Sequence, residues 1–125
     1  MYPENLKYKD THIWVNADGG IATIGITGYA AEQLGEIIYL DIAPQVGDEI
    51  SADEGFGSIE SVKSISDLIS PISGTIKEVN EGLMDDPTIV NNDPYEEGWM
   101  LKVQLSDVSE LDDLLDVIGY KDILD

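Results

Sequence analysis

Across its first hundred residues the chain holds no long amphipathic helical stripe; its apolar side chains come in runs of about five residues closed by Gly, Ser or Pro, the pattern of short strands and tight turns. Antiparallel sheet is the packing this pattern allows. Residues 12–16, around Ile13-Trp14-Val15, and residues 21–26 flank Asp18-Gly19-Gly20 and predict a hairpin. Thr27 is placed to cap one to two helical turns over residues 29–34, ended by Gly35. Residues 36–42 predict a strand with Ile37, Tyr39 and Asp41 on one face and Ile38, Leu40 and Ile42 on the other. Further strands are expected at 56–62, 67–70, 74–79 and 99–105. Two segments that each follow a proline, 46–50 and 72–76, echo one another weakly. The stretch 83–94, rich in Asp, Asn and Pro, predicts a solvated loop. In the tail, Ser109-Glu110-Leu111-Asp112 has the form of a capping box, and Leu111, Leu114, Leu115 and Ile118 fall at helical spacing, so a C-terminal helix should pack on the sheets.

Length and charge narrow the function classes. With 125 residues the expectation is a single domain over residues 1–125. Its basic side chains are six lysines with no arginine, against 26 acidic residues, for a net charge of −20. Such a surface disfavours nucleic acid and anionic membranes. Cysteine is absent, which removes disulfides, thiolate metal sites and cysteine nucleophiles, and the single His12 cannot build a histidine metal cluster. Enzymatic catalysis of the usual kinds is not expected. The opening Met1-Tyr2-Pro3-Glu4-Asn5 has no basic and apolar leader pattern, and no apolar run approaches the roughly 18 residues of a membrane span, so a cytoplasmic protein is expected.

Most motifs fail on inspection. Gly55-Phe56-Gly57 starts like a dinucleotide fingerprint but has Glu60 where the third glycine belongs. Asp85, Asp86 and Asp93 lack the alternation of a calcium loop. His12 reads as a strand residue with a satisfied side chain. One segment stands apart: residues 57–74 place a single lysine, Lys63, between two short strand runs, with Glu60 before it and Asp67 after it. That places an amine at a hairpin tip, where an enzyme could attach a prosthetic arm; a plain surface lysine is the alternative reading.

Lys7-Tyr8, His12 with Trp14, residues 22–27, Glu32 to Gly35, Glu60-Ser61-Val62-Lys63, Ser70 to Gly74, Glu78-Val79-Asn80, residues 92–95 and Gly98-Trp99-Met100 follow in order the pattern of a known family. Through them the chain resembles the H protein of the glycine cleavage system, a lipoyl carrier. The resemblance implies a mainly β, lipoyl/biotinyl-type barrel-sandwich hybrid with an N-terminal hairpin, a short helix and a C-terminal helix. It also implies lipoic acid attached covalently to Lys63. Biotinyl domains usually flank the modified lysine with methionine, where Val62 and Ser64 stand here, and lipoyl domains of 2-oxo acid dehydrogenases usually place Asp before it.

By the same resemblance the chain is a non-catalytic, monomeric carrier. Its partners would be a pyridoxal-phosphate-dependent glycine decarboxylase, a tetrahydrofolate-dependent aminomethyltransferase, dihydrolipoamide dehydrogenase and a lipoate-attaching enzyme. Thr11, Ile13 and Asp67 would line the cleft that holds the loaded arm, and Glu60 and Gly74 would serve lipoylation recognition, Gly74 in a turn that a Cβ would strain. The family usually carries Glu at the place of Ile13 and often Asp at that of Gly28. The loss of a carboxylate at Ile13 keeps open a second function, an H-like lipoyl protein turned to lipoate relay or to sulfur-intermediate transport. An unmodified interaction module is the third.

Overall fold

In the computed structural model, which describes residues 2–124, the N-terminal hairpin forms because Gly19 and Gly20 both take left-handed φ angles, +61° and +86°, that side chains rarely adopt. This turn joins β2 (Ile13–Asp18) to β3 (Ile21–Ile26), with β1 (Lys7–Tyr8) on the outer edge. Thr27 accepts the Ala30 N–H and starts α1 (Gly28–Leu34), which Gly35 ends at φ +78°. There follow β4 (Ile37–Ile42), β5 (Glu49–Ile50), β6 (Gly55–Ser61), β7 (Ile65–Ile69), β8 (Gly74–Val79), α2 (Gly82–Asp85), α3 (Thr88–Asn92), β9 (Leu101–Leu105), a 3-10 turn (Val108–Asp113) and α4 (Val117–Ile123).

Two antiparallel sheets result, a six-stranded one in the order β1-β2-β3-β9-β8-β5 and a three-stranded one in the order β4-β6-β7. The main core lies where their inner faces meet, with Ile24, Ile76 and Val103 of the larger sheet and Leu40, Ile59 and Leu68 of the smaller among its members. The two echoing segments become partners: Glu49 pairs with Thr75 and Ile50 with Gly74. On β2 three consecutive residues are buried. Ile13 and Val15 enter the main core, whereas Trp14 joins Leu6, Tyr8 and Tyr120 in a second cluster on the other face, so α4 covers a sheet face that would otherwise lie open.

Four expectations need correction. Strand β4 does not alternate as its sequence suggests: the pairing with β6 shifts between Ile37 and Tyr39, a bulge that leaves Ile37, Leu40 and Ile42 buried and both Ile38 and Tyr39 exposed. The stretch 83–94 is not a plain loop, since α2 and α3 lie in it and bury Leu83 and Val90. Helices of four and five residues are too short for an apolar period to register. The tail is not one amphipathic helix. Asp107, rather than Ser109, caps the 3-10 turn; Leu115 bridges to Tyr8; and Asp116 then starts α4, which buries Tyr120 and leaves Ile118 exposed. Lastly, Gly74 is not in a turn. It is the first residue of β8, paired with Ile50 and Leu105, and its φ is not positive.

Candidate functional site: a lysine on a pinned turn

Lys63 sits at the tip of the β6–β7 hairpin, exposed, in a turn that one buried side chain organises. Ser61 is 7% exposed, and its Oγ accepts both the Lys63 N–H and the Ser64 N–H at 3.1 Å, while its own N–H donates to the Ser64 carbonyl at 2.8 Å. A serine hydroxyl here replaces the strand pairing that the turn interrupts. The Val62 N–H then donates to Glu36 O at 3.2 Å and fastens the turn to the start of β4. Behind it, Gly35 keeps room for the lysine stem, because a Cβ there would lie 3.2 Å from Lys63 Cε. Of the described residues, none forms a salt bridge with Lys63.

The platform under the turn depends on a residue that sequence reasoning missed. Asn91, on α3, donates to Gly35 O at 2.8 Å and accepts the Ile37 N–H at 3.0 Å, clamping the segment to which Val62 is bonded. No local pattern signals this, since Asn91 and Gly35 are 56 residues apart. Asn91→Ala should lower stability by about 1–3 kcal/mol by orphaning two partly buried backbone groups. Hydrogen exchange should accelerate at Ile37 and Val62, and chemical denaturation followed by amide exchange checks both expectations.

The residues that the resemblance groups into an arm cleft occupy three settings. Thr11 is exposed in the turn before β2; Ile13, 1% exposed, is packed in the main core opposite Ile26; Asp67 is exposed on β7, cross-strand from Ser58. No hydrogen bond joins them among the described residues. Glu60 lies between Tyr39 and Ile65 on the outward face of the small sheet. A concavity of about 800 Å³, bordered by Ile42, Val46, Val79, Met84 and Trp99, opens at the end of β4 remote from Lys63.

Beside this region His12 takes a left-handed φ of +70° in the bend before β2, and it is a linker residue rather than a strand residue. Its Nδ1 lies 2.8 Å from the Tyr120 hydroxyl, which is 2.8 Å from Thr27 Oγ1, so the bend before β2, the cap of α1 and α4 meet in one chain of hydrogen bonds. Burial pushes the tyrosine up to about 12, and burial lowers the His12 imidazole against an opposing effect of Asp10. Tyr29, against which the His12 ring packs at 4.9 Å, completes its surroundings. Because the folded pKa is lowered, the unfolded chain takes up the proton first. The contribution of neutral His12 is therefore full above its unfolded value of about 6.5 and is lost as pH falls through the folded value. Melts across this range should show that loss in the parent and not in His12→Asn, since Asn tolerates the left-handed backbone.

The Gly28 N–H donates to the Tyr95 hydroxyl at 2.8 Å, and a Cβ on Gly28 would sit 3.3 Å from that oxygen. Tyr95 thus occupies the helix start where the family often has an acidic residue.

An exposed amine on a rigid hairpin of a two-sheet barrel-sandwich is the layout of a prosthetic-group carrier. No helix among the described residues is long and apolar enough to cross a membrane. The profile of the family described as glycine cleavage H-protein matches residues 6–125. A glycine cleavage system H protein of Bacteroides thetaiotaomicron is 50% identical over 123 residues, covering 98% of this chain and 97% of its own. One from Carboxydothermus hydrogenoformans is 49% identical over 125 residues, covering 100% and 95%. The crystal structure of a glycine cleavage system H protein from Mycobacterium marinum superposes with a TM-score of 0.87 at 39% identity, covering 98% of both chains. The chain belongs to the glycine cleavage H-protein family, whose members are non-catalytic lipoyl carriers.

Proposed function

We propose that residues 1–125 form one carrier domain that bears lipoate in amide linkage on Lys63 and serves glycine cleavage in the cytoplasm as a monomer. The observation that carries this reading is the Ser61-pinned turn, which holds an exposed amine at a fixed point of the fold. When attached, the dithiolane would take up the aminomethyl group released from glycine, deliver it to a folate-dependent acceptor and return to the disulfide at a flavin dehydrogenase.

The chain's own contribution is physical. Ser61 and Glu36 fix the root of the arm, so that its free end sweeps a limited volume at high local concentration. Amide formation removes the lysine charge and makes the carrier one unit more negative than −20. That field should speed encounters with basic surfaces on the decarboxylase, the aminomethyltransferase and dihydrolipoamide dehydrogenase. Glu60, on the outward face beside the turn, would serve recognition by the lipoate-attaching enzyme. Thr11 and Asp67, both exposed, would border the resting place of the loaded arm, whereas Ile13, expected there in place of a carboxylate, is buried in the main core and does not reach that surface.

The test is incubation of the lipoylated chain with glycine, pyridoxal phosphate and the decarboxylase. An intact-mass gain of one aminomethyl group is the expected result. Full lipoylation without any gain would transfer support to the diverted carrier.

A further inference from the structure

Exposed apolar side chains gather around the lysine. Among the described residues eight large hydrophobic side chains are exposed, and four of them, Ile38, Tyr39, Val62 and Ile65, belong to the turn or the strand ends beside it. Tyr39 pairs with Glu60 and Glu60 with Ile65, so these three share the outward face in one row across the small sheet. The β4 bulge adds Ile38, which a regular strand would turn toward the other face from Tyr39. Val62 is 69% exposed and Ile65 68%, values that packing within the chain does not explain. Glu60 lies within the row, Glu36, Asp41 and Asp67 stand at its margin, and between Asp10 and Ile76 the only lysine is Lys63 itself.

We infer that this apolar patch with its acidic rim is the face covered by the lipoate-attaching enzyme, an inference that rests on the proposed lipoylation of Lys63. Attachment is the one step that must bring Nζ itself into a foreign active site, whereas later partners meet the far end of an arm. In that step Nζ forms a C–N bond to the carbonyl of an acyl adenylate, the acyl–oxygen bond to the nucleotide phosphate breaks, and Nζ loses a proton. An enzyme that holds an anionic acyl adenylate needs a positive entrance, which complements the acidic rim, and an apolar margin at that entrance complements the four side chains.

The test uses the full chain with an ATP-dependent lipoate–protein ligase and lipoic acid, varying carrier concentration. A Tyr39→Ser/Val62→Ser/Ile65→Ser variant should raise the KM for the carrier by about tenfold and leave kcat within about twofold, as loss of docking alone requires. Ile118→Ser, an exposed apolar residue on α4, should change neither. Circular dichroism melts check that the variants are folded. Once fully lipoylated with excess ligase, the triple variant should be reduced by NADH and dihydrolipoamide dehydrogenase at the parent's rate. An unchanged KM, an equal rise for Ile118→Ser, or an equal loss with the dehydrogenase would overturn the patch assignment while leaving lipoylation of Lys63 intact. Absence of lipoate on the parent's Lys63 would overturn both.

Discussion

Lys63→Ala will abolish lipoylation while leaving the melting temperature of the protein where it was. The chain offers a ligase five other lysines, Lys7, Lys9, Lys77, Lys102 and Lys121, and chemistry alone would not separate them. Structure does. Lys9 is drawn toward Asp53 at 3.6 Å, and Lys102 lies 3.2 Å from Glu78 and over the Trp99 ring. Lys7 and Lys77 belong to strand β1 and to the β8 bulge, and Lys121 to the last turn of α4. Only Lys63 stands on a hairpin tip whose backbone is fixed by a buried hydroxyl. Removing its side chain costs little, because the turn is held by Ser61 and Glu36 through main-chain groups that alanine retains. Peptide mass mapping after ligase treatment, beside a melt, reads both halves of the expectation. Lipoate on another lysine, or full modification of the variant, would remove the basis for the proposed carrier.

What could be read from the sequence follows from how local each interaction is. The hairpin at Asp18-Gly19-Gly20, the Thr27 cap and the Gly35 stop are written within a few residues, and all three are present. The exposed Lys63 turn is equally local, because Ser61 satisfies it from two residues away. The bulge at Ile38 is not local, since it depends on how β6 aligns against β4, and a one-residue shift of register changes which side chains are buried. Tyr120 likewise follows no apolar stripe on α4. It is buried because its ring stacks on Tyr8 at 4.7 Å and its hydroxyl reaches His12 and Thr27, partners more than ninety residues distant. Asn91 was illegible for the same reason, as its role exists only after α3 has packed beside Gly35.

Gly74 makes the sharpest case, because a right expectation there rests on a different cause. An added Cβ would stand 2.1 Å from Gln104 O and 2.7 Å from Val103 Cγ1, both on β9, with which Gly74 is in register at Leu105. The obstacle on β9 is a backbone oxygen, so no rotamer change relieves it, and β8 and β9 would have to part along the pairing that joins β8 and β5 to the rest of the large sheet. Gly74→Ala should therefore destabilise by more than about 4 kcal/mol, a large share of the 5–15 kcal/mol typical of a whole domain. Gly55→Ala is the control, since its Cβ would meet nothing nearer than Leu68 O at 3.8 Å and its cost should stay within about 0.5 kcal/mol. The same comparison separates folding from recognition. Strand β7, five residues long, carries the chain away from Lys63 for about 17 Å before Gly74 is reached, so a ligase centred on Lys63 need not touch Gly74. Lipoylation of Gly74→Ala should fall only as its folded fraction falls. A variant that melts like the parent yet resists the ligase would instead assign Gly74 a direct part in recognition.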